Sequence, residues 1–235
     1  MIIRSSLFYL FITIWTLIFG LIFSPLLITK NQHTRTACKF WARISMLGLR
    51  LICGISYQIE GLEHLPRMPY IVASKHQSAL ETILFWLIFP NPVYILKKEL
   101  LRIPVFGWYL FRLGMIYIDR SSGASALKQI IIKTQEALKE PVSIIVFPEG
   151  TRHPPAHHST RYFPGITAIY NANNASIVPV ALNTGICWPG KKLIMKPGMV
   201  TIRILPPIKP GLDKDKFMTK LNEEIERSSL ELISL

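Results

Sequence analysis

His76 and Glu81 are an imidazole and a carboxylate five residues apart, and such a pair can move a proton. They lie in the stretch VASKHQSALET, just after an apolar run that ends at Ala73. A neutral histidine can take a proton from an alcohol, and a carboxylate bonded to its other nitrogen fixes the tautomer and stabilises the imidazolium as it forms. The pair therefore suggests a general base with its orienting acid, acting on a hydroxyl that belongs to the substrate.

The five-residue spacing limits how the two side chains can meet. On an ideal helix five residues turn through about 500°, so the pair would not share a helical face. We therefore expect His76 in a loop that folds back over the first turn of the next helix, with Ser78 as its N-cap. Ser78 and Glu81 also read S-x-x-E, the capping box that begins many helices. Glu81 could thus serve the cap, the histidine or both.

Other polar residues also stand directly after short apolar runs that read as strands. Lys97 follows the run Val93–Leu96, Arg120 follows Met115–Ile118, and the segment PEGTR follows Ser143–Phe147. The carboxyl ends of parallel strands lie along one edge of a sheet, where such folds place their ligands. We expect these residues and His76 to gather in one cleft.

Arg120 and Arg152 are suited to holding a phosphate. Two guanidinium groups at neighbouring strand ends could clamp the anion through bidentate, charge-assisted bonds. Gly150 and Thr151 would let backbone and hydroxyl groups approach the same anion, and Glu149 could order the arginines or a hydroxyl. The alternative for each arginine is a surface ion pair with a nearby acid.

The elements that must position these residues alternate between strand-like and helical patterns. The predicted strands are Tyr57–Glu60, Tyr70–Ala73, Val93–Leu96, Met115–Ile118, Ser143–Phe147, Ile177–Leu182 and Val200–Ile204. The predicted helices are Ala79–Phe89, Val105–Leu113, Ala124–Lys139, Gly165–Ala172 and Lys214–Leu230. This alternation predicts an α/β fold with a mostly parallel central sheet flanked by helices.

The first 56 residues read as a separate membrane-anchoring segment, followed by the α/β domain at 57–235. Leu7–Ile28 contains no charge and is long enough to span a bilayer. Arg35–Ser56 interleaves basic and apolar residues, a pattern typical of a helix lying in a membrane interface. The two segments could form a true span or a hairpin dipped into one leaflet, and the second could instead pack on the protein's own core. A signal peptide is disfavoured because no small-x-small cleavage site follows the first segment.

The composition favours partners that carry phosphate or lipid. Half of the residues are hydrophobic, and Lys and Arg outnumber Asp and Glu by 27 to 14, a formal net charge of +13. A basic chain attracts nucleic acid, an anionic bilayer or a phosphorylated substrate. The apolar content favours the last two, and neither zinc-finger spacing nor an RNP-like aromatic motif is found. We predict no nucleic-acid partner.

The cysteines and histidines do not predict a metal site. Cys38, Cys53 and Cys187 lack metal-ligand spacing, and their odd, sparse count fits a reducing compartment. His153 and His157 lie in the loop-like stretch HPPAHHST, where two prolines intervene and no acid joins them.

Four segments together resemble a known family. KHQSALE, GMIYIDR, FPEGTR and IVPVAL occur in the order of the four blocks of the glycerophospholipid acyltransferases, and the sequence is most similar to the 1-acyl-sn-glycerol-3-phosphate acyltransferases. The resemblance covers roughly Tyr57 to Leu205. It implies that His76 deprotonates the free hydroxyl of 1-acylglycerol-3-phosphate, which attacks the thioester of acyl-CoA or acyl-carrier protein to give phosphatidic acid, with no cofactor. It also implies work at a membrane lipid surface, which we expect to be the cytoplasmic face of the cell inner membrane.

The resemblance also implies roles for the remaining residues of these blocks. Gly114 and Arg120 match the second block, and Glu149–Arg152 match the third; both blocks are assigned to the acceptor phosphate. Pro179 matches the fourth block, whose role is less clear. Lys97 begins a further similar stretch, KKELLRIPVFGWYLFRLG, and we expect it to contact substrate.

Two residues depart from the family pattern. Glu81 stands where the family usually has Asp, and Phe163 stands where many relatives have Lys, a contact that Arg161 could supply. The change at Glu81 leaves open a membrane scaffold with a degenerate site. Another lysolipid acceptor, such as lyso-ornithine lipid, is a second alternative. The basic charge alone keeps a nucleic-acid binder as a third, although we predict no such partner.

Overall fold

One sheet of seven strands organises the computed structural model, which describes residues 1–119, 123–158, 162–190 and 192–234. The strands are β1 (Ile55–Glu60), β2 (Tyr70–Ser74), β3 (Pro92–Lys97), β4 (Ile116–Ile118), β5 (Ser143–Val146), β6 (Ile177–Leu182) and β7 (Gly198–Ile204). Their order across the sheet is β1-β7-β6-β2-β5-β3-β4. The predicted strands are all present, and no end shifts by more than two residues.

The sheet is mixed but mostly parallel, which confirms the predicted fold class. Strands β2 to β6 run parallel to their neighbours, but β7 pairs antiparallel with β6, and β1 pairs parallel with β7. The carboxyl ends of β1 and β7 therefore lie at the opposite edge. The expected gathering of loops at one edge applies to β2, β3, β4, β5 and β6.

Helices cover both faces of the sheet, as predicted for this fold class. They are α1 (Ile2–Ile22), α2 (Asn31–Gly48), α3 (Leu80–Ile88), α4 (Phe106–Arg112), α5 (Gly123–Ala137), α6 (Gly165–Ala172) and α7 (Lys214–Ser234). The alternation of side chains along β2 separates two cores. Tyr70 and Val72 pack in the core that contains residues of α1 to α4, whereas Ile71 and Ala73 pack in the core with α5, α6 and α7.

Helices α1 and α2 form an antiparallel hairpin. Trp15 Nε1 donates to the carbonyl of Trp41, and Cys53 Sγ lies 3.6 Å from the carbonyl of Arg4, so later residues of one arm meet earlier residues of the other. Helix α1 ends at Ile22, six residues before the end of the apolar run, because the chain turns into a 3₁₀ segment that contains Pro25. The hairpin shares the core of α3 and α4, and the division of the chain at residue 56 stays a prediction.

One side of α1 packs on the protein and the other side does not. The Phe8 ring lies 5.5 Å from the ring of Trp188, and the Phe19 ring lies 5.9 Å from that of Tyr109. The opposite side carries an outer stripe of apolar residues that are 47 to 61% exposed, namely Leu7, Leu10, Ile14, Leu17 and Leu21. By length and composition α1 could cross a membrane, and the stripe indicates membrane association.

Candidate active site

The loop between β2 and α3 folds His76 back over the start of α3. Its Nδ1 lies 2.8 Å from Oε1 of Glu81. Because an ionised carboxylate can only accept, Nδ1 is the donor, and Nε2 is the ring nitrogen that can take a proton. The predicted contact across the five-residue spacing is confirmed, while its chemical role stays a prediction.

Glu81 also orders the start of α3. The same Oε1 accepts the backbone N–H groups of Gln77 and Ser78 at 2.9 and 2.7 Å. Ser78 Oγ in turn accepts the N–H of Leu80 at 3.1 Å. The N-cap is Ala79 rather than the predicted Ser78. Glu81 accepts the Ser78 N–H as in a capping box, whereas Ser78 Oγ accepts from Leu80 instead of Glu81. Glu81 therefore serves both the helix and the histidine.

The second oxygen of Glu81 meets a residue far along the chain. Thr184 Oγ1 lies 2.7 Å from Oε2, and both residues are completely buried. The carboxylate thus accepts four hydrogen bonds from protein groups. Hydrogen bonds to the charged form offset the cost of burying it.

The loop after β5 holds His76 from the other side. The imidazole stacks on Phe147 with ring centroids 4.0 Å apart. The His76 N–H donates to Oε2 of Glu149 at 2.8 Å, and the His76 carbonyl accepts the N–H of His153 at 2.9 Å. These contacts fix both the ring and the backbone of the predicted base.

A tight turn places the PEGTR segment. The N–H of Gly150 donates to the Phe147 carbonyl at 2.9 Å, and Gly150 has φ of +67°, a conformation that side-chain-bearing residues rarely adopt. The turn directs Glu149 into the protein, where it is 3% exposed, and leaves Arg152 half-buried.

Beneath His76 lies a buried charge cluster of Lys75, Glu149 and Glu226. Lys75 Nζ lies 2.7 and 2.6 Å from the two carboxylate oxygens of Glu226 on α7 and 3.0 Å from Oε1 of Glu149. The Tyr162 hydroxyl donates to Glu226 at 2.8 Å. Burial, and next the Glu226 charge, raise the pKa of Tyr162 far above its ordinary value, so this hydroxyl keeps its proton. The cluster ties the C-terminal helix to the residue before His76.

His76 opens onto a cavity of about 1050 Å³. Its polar lining includes Lys97, Gly150, Thr151 and Arg152, together with His76. Its apolar walls come from several helices and include Phe19, Trp41, Trp86, Tyr109, Leu110 and Ile169. Such a volume suits a large ligand with long apolar parts and a few polar groups.

The sequence comparisons agree with this site. Residues 56–183 match the family model described as Acyltransferase. The chain is 33% identical to the 1-acyl-sn-glycerol-3-phosphate acyltransferase of Pseudomonas aeruginosa over 227 residues, which cover 95% of this chain and 88% of that one. The chain belongs to the acyltransferase family. The yeast Saccharomyces cerevisiae has a 1-acyl-sn-glycerol-3-phosphate acyltransferase that is 30% identical over 75% of this chain and 61% of its own length.

A solved structure confirms the fold of this acyltransferase. The crystal structure of the 1-acyl-sn-glycerophosphate acyltransferase from Thermotoga maritima superposes with a TM-score of 0.81 over 99% of this chain and 96% of the other. At 23% sequence identity, this likeness bears on the fold alone.

Several residues predicted to bind substrate lie away from the cavity wall in the acyltransferase. Among the described residues, Gly114, Glu149 and Pro179 do not line the cavity. Gly114 occupies the turn between α4 and β4 with φ of +69°, and Pro179 lies buried in β6 beside Ala73 of β2. Glu149 contacts Lys75 and the His76 backbone N–H, and its expected part in ordering the arginines or a hydroxyl stays a prediction. Arg120 lies outside the described residues.

Sequence reasoning missed a segment of the acyltransferase that contacts the site. After β6, Thr184 bonds Glu81, Gly185 N–H donates to Oε1 of Gln77 at 3.0 Å, and Gly190 packs on Arg152. A Cβ on Gly190 would lie 2.6 Å from the Gln77 carbonyl oxygen and 2.7 Å from Cδ of Arg152, so a larger residue would shift the backbone here or the Arg152 side chain. The available signal was the position of this segment directly after a predicted strand.

Proposed function

We propose that the chain transfers a fatty acyl group from an acyl thioester to the free hydroxyl of 1-acylglycerol-3-phosphate, giving phosphatidic acid for phospholipid synthesis. The observation that carries the proposal is a histidine, oriented by a buried carboxylate, at the wall of an apolar cavity that Arg152 also lines. The names of the related acyltransferases from Pseudomonas aeruginosa and yeast support the same acceptor.

The proposed chemistry needs one base and a pre-activated acyl group. Nε2 of His76 takes the proton of the acceptor hydroxyl while the hydroxyl oxygen attacks the thioester carbonyl carbon. Glu81 stabilises the imidazolium that results. The tetrahedral intermediate then expels the thiolate, which takes the proton from Nε2 and leaves as a free thiol. No metal or cofactor is required, because the donor, acyl-CoA or acyl-carrier protein, brings the acyl group already activated.

Among the residues that the structure describes, Arg152 is the arginine that lines the cavity and could bind the acceptor phosphate. Arg152→Gln removes the charge but keeps a polar side chain, so we expect KM for lysophosphatidic acid to rise about ten- to hundredfold through loss of charge-assisted bonds. Steady-state kinetics with lysophosphatidic acid and with lyso-ornithine lipid measure this effect. Arg227→Gln is the matched control, because it removes a side chain that is 74% exposed on α7. Equal losses on both acceptors would contradict a phosphate contact.

We place the enzyme on a membrane, at the cytoplasmic face of the inner membrane. The outer stripe of α1 offers apolar side chains to lipid, and α2 carries Lys39 and the exposed Arg43, which favour anionic headgroups. In this arrangement α1 lies with its outer stripe in lipid while its inner side stays on the protein.

The direct test supplies membranes that contain the protein with acyl thioester and lysophosphatidic acid. We expect free thiol and phosphatidic acid to appear in equal amounts. Activity on lyso-ornithine lipid but not on lysophosphatidic acid would redirect the proposal to another acceptor. No acyl transfer and no thiol release across several acyl lengths and both donors would favour a membrane scaffold.

Glu81→Gln tests the orienting carboxylate. The amide has nearly the same shape and can still accept the Gln77 and Ser78 N–H groups, so we expect a modest loss of stability. Turnover should fall about 10²- to 10⁴-fold, because the charge that fixes the tautomer and stabilises the imidazolium is gone. Turnover and thermal unfolding in the same detergent separate the two effects. Near-normal turnover would mean that Glu81 acts as a helix-capping residue alone.

A further inference from the structure

The sheet topology brings the loop after β6 beside the loop that carries His76. Strand β6 pairs in parallel with β2, and the pairing extends past β2, where the Lys75 N–H donates to the carbonyl of Val180 at 3.0 Å. Residues that follow β6 therefore lie next to Glu81 although they are about 100 positions away in the chain. Thr184 is the second residue after β6 and lies one residue beyond the stretch that matches the family model.

Thr184 is held firmly in place. Its carbonyl accepts the N–H groups of Cys187 and Trp188 at 3.3 and 3.0 Å, which closes a short turn. The residue before it, Asn183, donates to the carbonyl of Leu232 on α7 and accepts the N–H of Thr201 on β7, both at 2.7 Å. The hydroxyl of Thr184 therefore comes from a backbone that is fixed on both sides.

The contact with Glu81 is suited to orienting a carboxylate. Oε1 meets three donors, including the imidazole, whereas the described contact of Oε2 is the Thr184 hydroxyl. The Thr184 hydroxyl at Oε2 acts with the backbone N–H groups at Oε1 against rotation of the carboxylate, so Oε1 stays directed at Nδ1 of His76. Both residues are 0% exposed, which excludes water as a ready substitute for the hydroxyl.

We propose that Thr184 is a positioning residue for acyl transfer: its buried hydroxyl fixes the carboxylate of Glu81, which in turn holds the imidazole of His76 in its proton-accepting orientation. The proposal rests on the proposed function, since it assigns Thr184 a part in that reaction. Thr184 touches neither substrate nor reacting atoms in this role.

Other charged and titratable groups near His76 and Glu81 also influence the pH profile of the reaction. They come from the His76 loop, from β3, and from the loop after β5, and they are Lys75, Tyr94, Glu149, Arg152 and His153. None of them is altered by a substitution at Thr184, so a change in the pH profile reports on the Thr184 hydroxyl.

The test compares Thr184→Val, which removes the hydroxyl at nearly constant volume, with Thr184→Ser, which keeps it. For Thr184→Val we expect kcat at neutral pH to fall about tenfold, with KM for both substrates within about twofold of the wild type. Because the substitution changes how firmly Glu81 holds the imidazole, the acid limb of the pH profile should move as well. Thr184→Ser should restore both the rate and the profile.

Thr134→Val is the matched control. Thr134 is also fully buried, in α5, and its hydroxyl has no hydrogen-bond partner among the described residues. The Thr134→Val variant should keep the wild-type kcat and the wild-type acid limb of the pH profile. If Thr184→Val does not fold, Thr184→Ala removes the hydroxyl without adding a methyl group beside the carboxylate.

Two results would overturn the inference: an acid limb that does not move in Thr184→Val, or a Thr184→Ser variant as impaired as Thr184→Val. The wild type is measured in parallel with lysophosphatidic acid and with lyso-ornithine lipid. A wild type that is inactive on lysophosphatidic acid counts against the proposed function, and the Thr184 comparison is then made on the lysolipid that is acylated.

Discussion

His76→Ala should fold, stay on the membrane and lose acyl transfer by about 10²- to 10⁴-fold, the usual contribution of a general base. The imidazole is 14% exposed and meets the cavity, and its removal leaves the backbone bonds to Glu149 and His153 in place. The structural cost is the lost stacking on Phe147 and one bond of Glu81.

Thiol release and phosphatidic acid formation measure the effect, and sedimentation with membranes checks the attachment. His64→Ala is the control, because His64 bonds the carbonyl of Ile204 on β7 and does not line the cavity. A His76→Ala variant with unchanged rates would remove the base assignment altogether.

Lys75→Met should be the most destabilising single change at the site. It removes the cation between Glu149 and Glu226, both of which are at most 3% exposed, and leaves two carboxylates buried close together. Breaking a buried ion pair by removing one partner typically costs about 3–5 kcal/mol, because the remaining charge is uncompensated. We expect the free energy of unfolding to fall by about that amount.

Denaturant unfolding in a fixed detergent measures this loss. Lys220→Met removes an exposed lysine that lies 3.8 Å from Glu224 on α7, and it should cost less than about 1 kcal/mol. Adding Glu226→Gln to Lys75→Met should recover part of the stability, because it removes one of the two buried charges. A Lys75→Met protein as stable as Lys220→Met would contradict the account of the cluster.

The strand ends could be predicted from sequence because hydrophobic runs and the polar residues that follow them are local features. That is why the meeting of His76 and Glu81, and the placement of Lys97 and Arg152 along one cavity, were predictable. Strand direction was not, since an apolar run such as β7 reads the same in either orientation, and the antiparallel pairing with β6 depends on the path of the intervening chain.

The contacts that sequence reasoning missed join residues far apart. Thr184 meets Glu81 across 103 positions, and Glu226 meets Lys75 across 151. Threonine and glutamate are common on surfaces, and neither lies in a motif that marks it as buried. The contact of Glu149 with Lys75 was missed as well, because it depends on the turn at Gly150, which directs Glu149 into the protein.

Trp188 lies in the loop after β6 and packs on α1, and this contact affects how the enzyme encounters its lipid substrate. Its indole N–H donates to the Tyr9 hydroxyl at 3.1 Å, and its ring lies against Phe8. The hairpin and the reaction centre thus move together, so seating the helix in lipid also sets the depth at which the catalytic groups work. Encounters with a lysolipid should then depend on how many such molecules each unit of bilayer area holds, and diluting them with inert lipid should slow the reaction at constant bulk concentration.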